Sequence, residues 1–144
     1  MTSPHAPTPV LDVAALQGLL SQWFAPWVQE LGLQVTQATP GEVTLHWPAT
    51  PHISRIGGMV CGQAMMSAAD TAMVLAIVTQ LGDRQPMTTV QLNTSFLKPL
   101  AGQDGVVTAR VVRAGKNLVF GEIDIRGATD GKSVCRASTT YALL

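Results

Sequence analysis

The chain predicts an α+β fold: a strongly curved antiparallel β-sheet of about six strands wrapped around a long central α-helix, with an additional N-terminal helix. Three observations lead there. Residues 57 to 78, GGMVCGQAMMSAADTAMVLAIV, are a long run of mostly apolar and small residues that holds one charge, Asp70. Alternating apolar runs bounded by turn signals lie on both sides of that segment, four of them consecutive after it. The 144 residues are 47% hydrophobic, enough for one substantial core and one compact domain over residues 11 to 144.

Residues 1 to 10, MTSPHAPTPV, hold three prolines and no apolar periodicity, and read as a flexible leader. Asp12 is then placed to cap a helix whose apolar positions Leu16, Leu19, Leu20, Trp23 and Phe24 recur at helical spacing; Pro26 bends or restarts it and Gly32 ends it. LQVTQATPGEVTLHW, residues 33 to 47, alternates on both sides of Pro40-Gly41, as a hairpin does. A Pro- and Gly-rich loop over 48 to 58 leads into the apolar segment, a helix from near Cys61 to near Gly82. After it MTTVQLNTSFLKP, GVVTARVVRAGKN and LVFGEIDIRGATDGKSVCRASTTYALL follow, the last splitting at Asp130-Gly131 into two strands. A helix of some twenty residues that is hydrophobic nearly all round needs apolar cover, and a curved sheet supplies it. This arrangement is a hotdog; a sandwich with the helix lying on one face is the plainer alternative.

Charge and cysteine usage bound the function. Nine basic and nine acidic residues, with no run of like sign, lack the electrostatic footprint of a nucleic-acid binder. Little self-repulsion and high apolar content favour a homo-oligomer. Cys61 and Cys135 form no C-x-x-C or zinc spacing, which suits a reducing cytoplasm, and His46 and His52 show no metal spacing; no metal or cofactor is expected. As a membrane span, the apolar helix would carry Asp70 near its middle at a cost of about 2.5 to 3.5 kcal/mol. Membrane insertion is not expected.

Gln63, Ser67, Asp70 and Val74 follow the spacing of one helix face, so three polar side chains share a stripe on an apolar rod. A buried carboxylate must be hydrogen-bonded or lose its charge, and both outcomes are chemically useful; a purely structural carboxylate that fixes packing register is the alternative. The helix start offers first-turn amides with no intrahelical acceptor, and Gly57, Gly58 and Gly62 leave space around them, as in an oxyanion hole. Small residues at a helix start also serve close packing alone. Cys61 as a nucleophile lacks a histidine at a recognised spacing.

GGMVCGQAMMSAADTAM resembles the G-x-x-H-G-G-x-x-x-x-L-x-D-x-A segment of hotdog acyl-CoA thioesterases of the PaaI type, the phenylacetate-pathway group. TTVQLNTSFLKPLAG, VVRAGKNLVFGEIDI and DGKSVCRASTTY resemble that family's later strands in the same order, so the resemblance spans about residues 33 to 142. It implies hydrolysis of an acyl-CoA thioester to free acid and CoA. Asp70 then falls on the carboxylate that activates water or attacks as nucleophile, Gly62 on the glycine whose amide holds the thioester oxygen, and Thr89 on a supporting Ser or Thr. It further implies a site shared between subunits of a homodimer, often paired into a homotetramer. Cys61 stands at the family's histidine, Gln63 at its second glycine, and Arg55 near where many relatives have Asn. Lys98, Arg113 and Lys116 lie near strand ends, where the family binds the phosphates of CoA, and the apolar Trp23, Trp27, Met65, Met66 and Met73 are core, interface or the lining of an acyl tunnel. Two other functions stay open: an acyl-CoA-binding hotdog protein without hydrolysis, and a hotdog dehydratase, which typically pairs its acid with a histidine.

Overall fold

The computed structural model describes residues 11 to 144; the expected leader, residues 1 to 10, lies outside them. The elements run α1 (Val13–Gln22), α2 (Pro26–Gln29), β1 (Gln34–Thr39), β2 (Glu42–Trp47), α3 (Gly62–Leu81), β3 (Met87–Phe96), β4 (Gly105–Ala114), β5 (Leu118–Gly127) and β6 (Ser133–Leu143). The strands form one sheet in the order β1-β2-β4-β5-β6-β3 with every pairing antiparallel. β3, the first strand after α3, therefore closes one edge and among the described residues pairs only with β6.

Local chemistry explains the element ends. The Asp12 carboxylate accepts the Ala15 amide at 2.9 Å and caps α1, while Pro26 opens α2, where its missing N–H costs nothing. Gly82, at φ 80°, ends α3 in the left-handed conformation that glycine adopts without strain. Gly41, at φ 82°, turns β1 into β2.

Against the concave face of the sheet α3 packs Ala68, Ala69, Ala72, Met73, Leu75, Ala76, Ile77 and Val78, all fully buried. The alanines let the sheet approach closely, and at Gly121 of β5 a side chain would collide with the Met73 thioether. α3 is long and apolar enough to cross a membrane, but most of it is core. The wrap is incomplete in one respect. Gln63, Met66, Ser67, Asp70 and Val74 stay partly or fully exposed, so within one chain the helix is covered on all sides but one. That uncovered side lies next to β3.

Candidate functional site

Asp70 sits at the middle of the uncovered stripe, and the sheet supplies its partners. Thr89 of β3 and Tyr141 of β6 are directly opposite each other in the antiparallel register. Both hydroxyls donate to the Asp70 carboxylate. Thr89 Oγ1 lies 3.0 Å from Oδ1 and 3.3 Å from Oδ2, and Tyr141 Oη contacts Oδ1 and lies 3.0 Å from the Asp70 carbonyl oxygen. The carboxylate on this helix is thus hydrogen-bonded within the chain. Burial, and after it the charge and hydrogen bond of Asp70, push the Tyr141 phenol far above its ordinary range, so the phenol stays a proton donor.

Thr89 reaches Asp70 through an irregularity in β3. Counting back from Phe96 through Thr94 and Leu92, which face α3, strict alternation would turn Val90 inward and Thr89 outward. The register shifts between Thr89 and Gln91, so Val90 is an extra residue, 60% exposed, and Thr89 faces the helix.

Beside Asp70 opens a cavity of about 240 Å³ whose wall is mostly apolar: Phe24, Trp27 and Val28 from the amino-terminal helices, Met66 and Val74 from α3, and Leu92 from β3. Among the described residues no lysine or arginine lines it. Met65 and Met73, in contrast, are core residues.

The helix start is a separate place. Cys61 is the N-cap residue but its side chain makes no capping bond, and the first-turn amides of Gly62 and Gln63 have no acceptor within the helix. The Phe96 ring stands 3.3 Å from where a Gly62 side chain would begin, so the missing side chain is matched by an aromatic ring. Eight residues separate Gly62 from Asp70, roughly 12 Å of helix rise. One carbonyl group cannot touch both within one chain.

The remaining candidates are dispersed. Arg55 lies in the turn before α3, its amide bonded to the Met59 carbonyl at 2.8 Å, with the neighbouring Ile56 fully exposed. Gln63 is exposed on the first turn of α3. Lys98, just beyond β3, is 3.4 Å from Asp130, whose carboxyl is held below its usual range mainly by the Lys132 amide. Arg113 and Lys116 are exposed around the β4–β5 turn, at the opposite end of β6 from Lys98. The structure thus joins Asp70 to Thr89, leaves Gly62 and Cys61 more than two helix turns away, and does not gather the three cations. His46 contacts Asp104 at 3.0 Å and His52 contacts Glu30 at 3.1 Å, so these two histidines each have a carboxylate partner away from Asp70. Tyr141 was not among the expected residues, although Cys135, Ala137, Thr139 and Tyr141 recur at period two and mark one inward face.

Comparison with known proteins agrees with this architecture. The model of the thioesterase superfamily matches residues 57–134. A Saccharolobus solfataricus protein that carries a provisional esterase name is 31% identical over 125 residues, covering 87% of this chain and 79% of its own. Human acyl-coenzyme A thioesterase 13 is 26% identical over 113 residues, covering 77% and 79%. The solved structure of the E. coli PaaI protein from the phenylacetic acid degradation operon superposes with a TM-score of 0.77 at 20% identity, covering 89% of both chains, and so shares the fold.

Proposed function

The chain belongs to the thioesterase superfamily, and from that premise we propose that it hydrolyses an acyl-CoA thioester to the free acid and CoA, with Asp70 as the group that drives the attack. The observation that carries the reading is a carboxylate gripped by two hydroxyls at the edge of an apolar cavity. The acyl group enters the cavity and brings its carbonyl to Asp70. A water molecule loses a proton to the carboxylate as its oxygen bonds to the carbonyl carbon. The carbonyl oxygen takes the resulting charge and accepts from the Gly62 amide. Collapse of that intermediate breaks the carbon–sulfur bond and expels the CoA thiolate, which takes up the proton.

The roughly 12 Å between Gly62 and Asp70 makes this geometry a property of two copies. β3 is a ten-residue open edge beside the uncovered stripe of α3, and pairing it with β3 of a second copy would cover both. Each site then combines Asp70 and Thr89 of one subunit with the helix start of the other, including Cys61 and Gln63. Arg55 and Lys98 stand near the helix start and Arg113 and Lys116 at the far end of the sheet, so only one of these groups meets the CoA phosphates at a given site.

Replacing Asp70 by Asn should lower release of thiol from an accepted acyl-CoA at least about tenfold while the circular dichroism spectrum stays unchanged; full turnover by the folded variant would refute the assignment. A single turnover in heavy-oxygen water separates the two ways the carboxylate could act, because only direct attack leaves label in Asp70. Cys61 favours a second reading. A thiol cannot replace the hydrogen bonds of an imidazole, so the chain could bind acyl-CoA without cleaving it. Saturable binding with no thiol release across short, long and aromatic acyl-CoAs would decide for that reading.

A further inference from the structure

We propose that Tyr141 is a positioning residue for the Asp70-driven step: together with Thr89 it clamps one carboxylate oxygen, Oδ1, and leaves Oδ2 as the oxygen that works on water or on the thioester. The inference rests on the hydrolytic reading of Asp70, and goes beyond it by assigning a residue and choosing between two oxygens.

Three features of the structure carry it. The first is the distribution of donors: Oδ1 receives Tyr141 and the shorter Thr89 contact, whereas Oδ2 has only the longer Thr89 contact, at 3.3 Å. A carboxylate oxygen with two donors has little electron density left to take a third proton, so proton transfer or attack falls to its neighbour. The second is rigidity. Tyr141 is 2% exposed, sits in the middle of the β3–β6–β5 strand triplet opposite Thr89 and Val119, and its ring is fixed by core packing. Its hydroxyl cannot swing away as a surface side chain would. The third is the second acceptor, the Asp70 carbonyl at 3.0 Å. One phenol touching both the side chain and the backbone of the same residue ties the carboxylate to the helix and leaves it little rotation. A Tyr needed only as core filling could be Phe; here the hydroxyl is spent on one residue, Asp70.

The chain contains a single tyrosine, which makes the idea directly measurable. Tyrosine labelled with carbon-13 at Cζ gives one signal, whose position reports the hydrogen bond of the phenol. Asp70→Asn should move that signal; an unmoved signal overturns the contact and with it the proposal. Kinetically, Tyr141→Phe keeps the ring and removes the hydroxyl. It should lower kcat about tenfold, leave KM within about twofold, and cause no further loss when added to Asp70→Asn. A merely structural tyrosine would instead lower the melting temperature and leave kcat of the folded enzyme intact, and that result overturns the proposal. If Asp70→Asn is inactive while Tyr141→Phe turns over normally, only the role of Tyr141 falls. If Asp70→Asn turns over normally, the hydrolytic role of Asp70 falls, and the positioning role with it.

Discussion

Position 61 places a thiol where a helix start usually has a side-chain oxygen. A Ser, Thr, Asp or Asn there would bond the amide of the second or third helical residue and stabilise the helix by about 1 kcal/mol. Cys61 leaves them uncapped, and donors that the protein does not satisfy are available to a ligand oxygen. The other cysteine behaves oppositely. Burial, with the Asp124 charge second, pushes the Cys135 thiol from 9.0 up to about 11. Between those values the unfolded chain releases the proton and the folded chain keeps it, so the stability this thiol contributes is complete below pH 9.0 and falls as pH rises toward about 11. The melting temperature should drop through that window, and less steeply in Cys135→Ala. At neutral pH one thiol per folded chain, Cys61, should react with a disulfide reagent, and the second only after denaturation; two fast thiols would contradict the burial. At this scale Asp70 was legible because a charge in an apolar helix is conspicuous. Thr89 was legible only through resemblance to a family, and Tyr141 not at all, since a tyrosine on a strand is ordinary core filling until its hydroxyl finds a partner.

Among the elements, the long helix and the strand boundaries were readable because each ends on a chemical signal: Asp12, Pro26, Gly41, Gly82, Gly131. What could not be read is which way β3 faces near its start. The extra residue at Val90 reverses the alternation, and a period-two count sends Thr89 to the wrong side of the sheet. Nor could the sequence show that the short helix α2 lines the same cavity as the exposed stripe of α3, because only the tertiary fold brings Trp27 and Asp70 to one cavity. Trp27, 61% exposed, forms one wall of the cavity, and its replacement by Ala should lower kcat/KM for acyl groups that fill about 240 Å³ by about tenfold relative to longer ones. A chain-length profile identical to that of the unaltered protein would place the acyl group elsewhere.

For the molecule as a whole, the two halves of the proposed site, Asp70 and the helix start at Gly62, lie roughly 12 Å apart along α3 and cannot meet within one subunit. Among the described residues the sheet has an unpaired edge on the same side as the uncovered helix stripe, with Val90, Phe96 and Leu97 exposed along or just beyond it. A charge placed there opposes edge pairing, so Val90→Lys should shift the protein toward monomer in sedimentation velocity and lower turnover in step. A monomeric variant with full turnover would refute a site shared between copies. Composition hinted at association, but which surface associates depends on the strand order, and no periodicity in the sequence encodes that order.

The strand order also has a consequence for biosynthesis. Among the described residues β3 pairs only with β6, and Thr89 meets a Tyr141 that lies 52 positions further along the chain. Until residues 133 to 143 have left the ribosome, β3 has no partner strand, and its hydrogen-bonding edges stay open to any neighbouring nascent chain. Asp70 acquires its second hydroxyl donor at the same moment, so the candidate site is among the last parts of this fold to assemble.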